Sequence, residues 1–335
     1  MRSRLRSYVL GLGLAAALTA LPAPAAAGEK ISVGTIAPKG SMWGKVFTAW
    51  TEAVHQKSEG KLELTVFYNG TQGDDGAMVG KMKAGQLDGA AVTALGLGKI
   101  HKPILALQIP GLFRSWESLD RARDALKGEF QKGAEGEGFH IAGWGDLGRI
   151  HAMSRGFAVR RPEDLRGKRV LTFQNDVLGP TIYQLIPGAT PVPMSIPEIL
   201  PALRTKSLDV LSAPSLGAEQ LQWAPHLDHI GSESTIMAIG GFVWSKNRLD
   251  KLPADLRAIL VDTGGAASEA LKKRIRTEDE AAYQRLASKM TVVKLSDADR
   301  DAWRVVFKKA AERLAQGTFD PALVERLVKL SGQAP

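Results

Sequence analysis

The sequence predicts an α/β protein of two lobes joined by crossing strands, with a long helix lying across both. Three observations predict it. The chain has 335 residues and is 44% hydrophobic, enough for two domains with cores of their own. From residue 31 to residue 92 its patterning runs β-α-β-α-β, the sign of a parallel sheet covered by helices. A second α/β unit then starts near residue 153.

In the first half, "KISVGTI" reads as a strand of mixed burial, and "APKGSMWG" as a turn with Ser41 as N-cap. A helix from about Trp43 to Ser58 follows, with Val46, Trp50, Ala53 and Val54 on one face. "KLELTVFY" alternates, as a half-buried strand does, and "NGTQGDDG" is a loop. "AMVGKMKAGQLD" is a short helix ending near Gly85, and "GAAVTA" a small-residue strand.

In the second half, "HIAGWG" and "RIHAMSR" read as strands near a crossing point, and "EDLRGKRVLTF" ends in a strand. A helix spans about Asp176 to Leu185, "ATPVPM" is extended, "SIPEILPALRTKSLD" is helical and "VLSAP" is a strand. "GGFVWSK" is a strand able to return to the first sheet, and a helical stretch of about Ala254–Lys289 follows it. "TVVKL" is a further strand. Ser296, with acids in the next turn, caps a helix, and "DPALVERLVKL" makes a terminal one. Lobe one is expected at 28–152 plus about 238–275, and lobe two at 153–237 plus about 276–335. Ligands in such folds sit at strand C-termini, in the cleft between lobes.

Two phrases echo each other. "KMKAGQLDGAAV" (81–92) and "ALRTKSLDVLSA" (202–213) both read as helix end, Leu-Asp, small-residue strand. Each lobe would then open one strand on the cleft, with Thr93–Leu95 facing Ala213–Leu216 across it.

The N-terminus reads as an export signal. "MRSRLRS" is basic, "YVLGLGLAAALTAL" is apolar and "PAPAAA" ends in small residues, so cleavage is expected after Ala27, leaving Gly28 first. The chain has no cysteine, which excludes disulfides, thiolate metal sites and a lipid anchor at the cleavage point. A periplasmic location fits. The formal charge of +9 falls to +6 without Arg2, Arg4 and Arg6. The remaining basic residues mix with acids, as in "KKRIRTEDE", and read as solvated faces rather than a nucleic-acid track.

Catalytic signatures are missing. No G-x-S-x-G occurs, and no glycine-rich stretch reads as a phosphate loop or dinucleotide fingerprint. His226 and His229 in "HLDH" have a helical metal-ligand spacing but follow Pro225 and lack carboxylate support. His101, His140 and His151 read as structural, and Asp74 and Asp75 as loop acids. Neither an enzyme nor a cofactor or metal is expected.

Seven phrases, in order, carry a resemblance to a known family: "PKGSMWGK", "FYNGTQGDD", "AGQLDGAAV", "IPGLFRS", "RRPEDLRGKRV", "ATPVPMSIPEILPALRTKSLD" and "VWSKNRLDKLP". The chain resembles the DctP-type substrate-binding proteins of TRAP transporters over nearly its whole length. The resemblance implies a two-lobe periplasmic binding protein fold that delivers a solute to TRAP membrane permease subunits.

The departures define the expected site. Where most of that family reads "GLKIR", with an arginine that pairs with a ligand carboxylate, this chain reads "GKRVL", so Leu171 takes the arginine's place. Where the family reads "DGQENP" this chain reads "DVLSAP", so Ala213 replaces a ligand-contacting asparagine. Arg149 in "LGRIH" matches a second family arginine. Arg169 lies two positions before Leu171, on the same strand face but ~7 Å away. Trp144, Phe173, Leu216, Phe242 and Trp244 are expected at strand ends facing the cleft, with Met42 and Trp43 at the first helix and Thr93 and Leu95 opposite. A carboxylate buried there without a partner costs several kcal/mol, whereas apolar surface gains about 25 cal/mol per Å² buried. The expected ligand is therefore hydrophobic or amphipathic. A subset of the family associated with a tetratricopeptide-repeat partner shares this arginine-less character. Two alternatives remain: a small organic acid held by Arg149 or Arg169, and a periplasmic sensor or scaffold that binds a partner and no solute.

Overall fold

A computed structural model describes residues 28–174 and 176–332. The expected signal peptide, residues 1–27, lies outside the described residues. The first lobe begins with β1 (Glu29–Thr35), α1 (Met42–Lys57), β2 (Leu62–Phe67), α2 (Asp75–Lys83) and β3 (Gly89–Thr93). β1 pairs in parallel with both β2 and β3, as the restarting pattern predicts. Ser41 caps α1, its hydroxyl accepting from the Gly44 N–H at 3.1 Å. α3 (Ala94–Ile100) then leaves the end of β3, and after a tight turn at 102–108 comes α4 (Trp116–Gly136). The sequence reading assigns no element to residues 96–138. The signal is nevertheless present there, because Leu119, Ala122, Leu126 and Phe130 form a buried stripe at helical spacing.

β4 (Phe139–Ser154) is one long strand where two are expected. It carries the chain into the second lobe, built from β5 (Arg169–Phe173), α5 (Leu178–Tyr183), β6 (Thr190–Met194), α6 (Ile196–Arg204), β7 (Val210–Pro214) and α7 (Ser215–Gln220). β8 (His229–Ser245) returns to the first lobe and is far longer than its "GGFVWSK" end suggests. α8 (Lys246–Asp250), α9 (Ala254–Ala287), β9 (Thr291–Val293), α10 (Asp297–Gly317) and α11 (Pro321–Ser331) complete the chain.

The strands form one hydrogen-bonded path, β2-β1-β3-β8-β4-β7-β5-β6, with β9 beside β8. The two ends mirror each other. β2-β1-β3 is parallel and flanked by antiparallel β8; β6-β5-β7 is parallel and flanked by antiparallel β4. The echoing phrases occupy matching places. Leu87 and Leu208 are buried, and Gly85 and Lys206 both adopt positive φ two residues earlier. Asp88 accepts from the Ser32 N–H of β1 at 2.7 Å, and Asp209 from the Arg169 N–H of β5 at 2.9 Å. Each aspartate thus pins the neighbouring parallel strand.

Where β4 and β8 cross between lobes, their antiparallel ladder slips register four times between Ile141 and Met153. α9 lies across this junction. Near its start Leu256 and Leu260 pack with Trp50 and Trp244, and near its end Leu286 joins the second-lobe core around Leu171 and Leu211. Asp279 of α9 accepts from the Arg149 N–H of β4 at 2.7 Å and the Leu216 N–H of α7 at 2.9 Å. Gly148 makes this approach possible. Its φ is +126°, and a Cβ there would lie 2.3 Å from the Asp279 carboxylate.

The end of the chain departs from the expected division. Val306 and Ala310 of α10 pack with the second lobe, but Leu314, Leu323 and Leu327 pack with α4 and the 102–108 turn of the first. We propose the same two lobes as the sequence reading, with α11 reassigned to lobe one.

Burial pushes the Asp279 carboxyl up to about 6, against the two N–H groups that favour its charged form. A carboxyl raised in the folded state binds its proton there before the unfolded chain does. Stability from this group therefore grows as pH falls from about 6 to about 4, by at most about 3 kcal/mol. In Asp279→Asn the difference in urea-unfolding midpoint between pH 7 and pH 5 should shrink; an unchanged difference would show that Asp279 does not titrate in this window.

Candidate functional site

The lobes enclose a cavity of about 1280 Å³. One wall comes from lobe one, with Trp43 and Phe47 of α1, Thr93 at the end of β3 and Leu95 of α3. The opposite wall comes from lobe two, with Leu171 and Phe173 of β5 and Ala213 of β7. The crossing strands make the floor. Gly145, Gly240 and Gly241 lie side by side there, so backbone rather than side chains faces the cavity. Trp303 and Phe307 of α10, stacked with ring centroids 5.5 Å apart, close one flank.

Seven of the twelve expected site residues meet in this cavity: Trp43, Thr93, Leu95, Leu171, Phe173, Ala213 and Phe242. Five do not, each for a local reason. Trp144 alternates with cavity-facing Gly145, so it points the other way, onto Phe130 at 6.1 Å. Trp244 lies deeper than Phe242 and meets it edge-on at 4.9 Å within the first-lobe core. Leu216 packs beneath α9 with Leu271 and Ile275. Met42 links the lobes instead, its N–H donating to Gln220 Oε1 at 3.0 Å. Arg149 turns away, its guanidinium 5.8 Å from the Trp116 ring centroid.

Arg169 is likewise unavailable. Its guanidinium grips Asp209 with two bonds of 2.7 and 2.8 Å at the outer end of β5. The Arg169 side chain holds the Asp209 carboxyl down to about 2, and neither residue lines the cavity. Leu171 is 5% exposed and packs with Met153, Ile199 and Leu211 while presenting an edge to the cavity. Among the described residues, no cationic side chain occupies the C-terminal ends of β3, β5 or β7.

Charge on the deep wall is neutralised from behind. Asp146 accepts from Arg123 at 2.8 Å and from Arg276 at 2.6 Å. Arg276 also grips Asp120 with two bonds and lies over Trp116 at 4.5 Å, tying α4, β4 and α9 together. Asp176, which begins the α5 turn, accepts from the Leu178 and Gly179 N–H groups at 2.8 and 2.9 Å. Burial pushes its carboxyl up. Among the uncharged groups, Tyr183 lines the cavity with its hydroxyl pushed up to about 12 by burial. Thr172 and Ser212 supply further hydroxyls.

Sequence reasoning missed several lining residues. Arg114 lies in the quoted phrase "IPGLFRS" and Asp176 in the turn after β5, yet neither stands out by spacing. Trp303 and Phe307 were legible as an i, i+4 aromatic pair, but nothing in the sequence placed α10 at the cavity. His226 ends a short turn and His229 begins β8, so the helical spacing read for them does not exist.

The profile of the bacterial extracellular solute-binding protein family 7 (DctP) matches residues 33–317. The chain belongs to this family. Its fold is that of TRAP periplasmic solute-binding proteins. The sugar acid binding protein of Advenella mimigardefordensis, in complex with galactonate, superposes with a TM-score of 0.85 at 20% identity, covering 91% of this chain and 98% of that one. A TRAP periplasmic solute-binding protein from Sulfurospirillum deleyianum with bound succinate gives 0.82 at 18% identity, covering 89% and 97%. In sequence, the chain is 22% identical over 260 residues to the 2,3-diketo-L-gulonate-binding periplasmic protein of Escherichia coli, spanning 76% of this chain and 77% of that relative.

A side chain at position 145 would test what the cavity floor does in this family 7 protein. A Cβ on Gly145 meets nothing closer than 3.8 Å. Gly145→Val should therefore leave the urea-unfolding free energy within about 1 kcal/mol of wild type, because β-branched residues suit strands. It should also reduce the fluorescence enhancement of an apolar dye bound in the cavity. Full enhancement in a folded variant would show that the dye site lies elsewhere.

Proposed function

We propose that this protein is the periplasmic solute-binding component of a TRAP-type transporter and takes a hydrophobic or amphipathic solute in its interlobe cavity. One observation carries the reading: Leu171 faces the cavity, and the two arginines that the sequence offered for a carboxylate, Arg149 and Arg169, are engaged elsewhere. A carboxylate at the β5 end would have no cation to meet, and burying it unpaired costs several kcal/mol. Apolar surface buried against Phe173, Phe242 and Trp43 gains about 25 cal/mol per Å². The cavity also exceeds the roughly 300–1,000 Å³ common for small-ligand sites.

TRAP permease subunits are the proposed membrane partners, and export with cleavage near Ala27 the proposed route to the periplasm. Leucine at 171 and alanine at 213 together support placement in the arginine-less subset with a tetratricopeptide-repeat partner. The organic acids in the solved relatives favour a second reading. If an acid is the solute, the cations placed to meet it are those that line the cavity, Arg114 among them, and not Arg149 or Arg169.

Mass spectrometry of solvent extracts from the purified protein should find an apolar or amphipathic molecule. Leu171→Arg should weaken displacement of an apolar fluorescent probe at least about tenfold, since it places a guanidinium against the second-lobe core. A wild type that holds only small organic acids, with affinities unchanged in Leu171→Ala, would transfer the case to the second reading.

A further inference from the structure

The charges lining the cavity are not equally engaged. Each acid has a partner. Asp146 holds two guanidiniums, Asp176 caps backbone N–H groups, Glu233 meets Arg300 at 2.6 Å and Glu325 meets Lys329 at 2.8 Å. Of the cations, Arg300 is shared between Glu233 and Asp297, and Arg304 pairs with Asp301. Arg114 and Lys308 also line the cavity, and neither side chain has a hydrogen bond or ion pair among the described residues. Both are exposed, so both sit at the rim.

Their position gives the cavity a direction. All four lining cations lie on α10 or in the turn before α4, whereas among the described residues the C-terminal ends of β3, β5 and β7 carry none. Arg114 follows Phe113, and Lys308 lies one turn before Ala311. Both of those neighbours pack in the same first-lobe cluster. A solute with its apolar body against Leu171, Phe173 and Phe242 therefore points its other end toward unpaired positive charge. A cationic end would be repelled there, and a neutral end would gain nothing from the two cations.

We propose that the solute is an amphipathic anion, of the class of a long-chain carboxylate, with its tail among Leu171, Phe173 and Phe242 and its charged head at Arg114 and Lys308. This rests on the apolar-cavity reading and adds an orientation to it. The arrangement is the reverse of one in which an arginine on β5 holds the carboxylate deep in the cleft. Because the head stays near solvent, the carboxylate keeps part of its hydration and avoids the cost of full burial. The apolar interior then needs no cation of its own.

Dodecanoate, dodecan-1-ol and succinate would be compared by displacement of an apolar fluorescent probe near pH 7. Dodecanoate should bind about tenfold or more tighter than the alcohol at low salt. The double variant Arg114→Gln/Lys308→Gln should bring dodecanoate to the alcohol's affinity and leave the alcohol's unchanged. Raising salt from about 50 mM to about 500 mM should act on the wild type in the same direction, since rim charges are screened. Equal binding of carboxylate and alcohol in the wild type would overturn the orientation while leaving the apolar cavity standing. So would a variant that weakens both ligands alike. Binding of succinate alone would overturn both.

Discussion

The ladder between β4 and β8 is the constraint on which the rest of the molecule depends. Each strand belongs to both lobes, so the cleft has a continuous hydrogen-bonded floor rather than a flexible linker. A strand buried on both faces needs every N–H and C=O paired. The ladder runs on while slipping register; two of the slips fall at Gly143 and Gly148, and Gly145 lies in register between them. One of these, Gly148, admits the Asp279 carboxylate, which fastens α9 to both β4 and α7. Another, Gly145, leaves the floor bare. The same backbone that joins the lobes thereby sets the depth of the space between them.

Much of this was legible in the sequence. The β-α-β grammar, the Ser41 cap and the Leu-Asp echo each rest on local rules, and local rules survive folding. Leu171 was singled out by the resemblance, as the residue standing where the family has an arginine, and its side chain lines the cavity. The errors share a cause. Trp144 and Arg149 belong to a strand whose register slips, and alternation counted from either end fails across a slip. Leu216 and Met42 sit at helix starts, where one residue of rotation decides between cavity and interface. The flank formed by α10 was not readable at all, because it depends on where a helix distant in sequence comes to rest.

The two lobes also commit much of their positive charge to the scaffold. Arginines are plentiful, but several serve the scaffold. Arg123 and Arg276 neutralise Asp146 and Asp120, Arg169 fastens Asp209, and Arg149 covers Trp116. Each such pair removes a cation from the pool available to a solute. The apolar lining at β5 and β7 is then consistent with the surrounding electrostatics, not an isolated substitution.

The path of the chain's last two helices has a mechanical consequence. Glu29 opens the first-lobe sheet, and α11 returns the chain to that lobe through its packing on α4. Both ends of the described chain are therefore moored on one body, and the other hangs from four covalent passages: β4, β8, α9 and the α10–α11 turn. A tether or dye carrier attached at either end would load the first body only. Relative motion of the second would be reported without strain from the attachment, and a cut at Thr318–Asp320 would release one of its four stays.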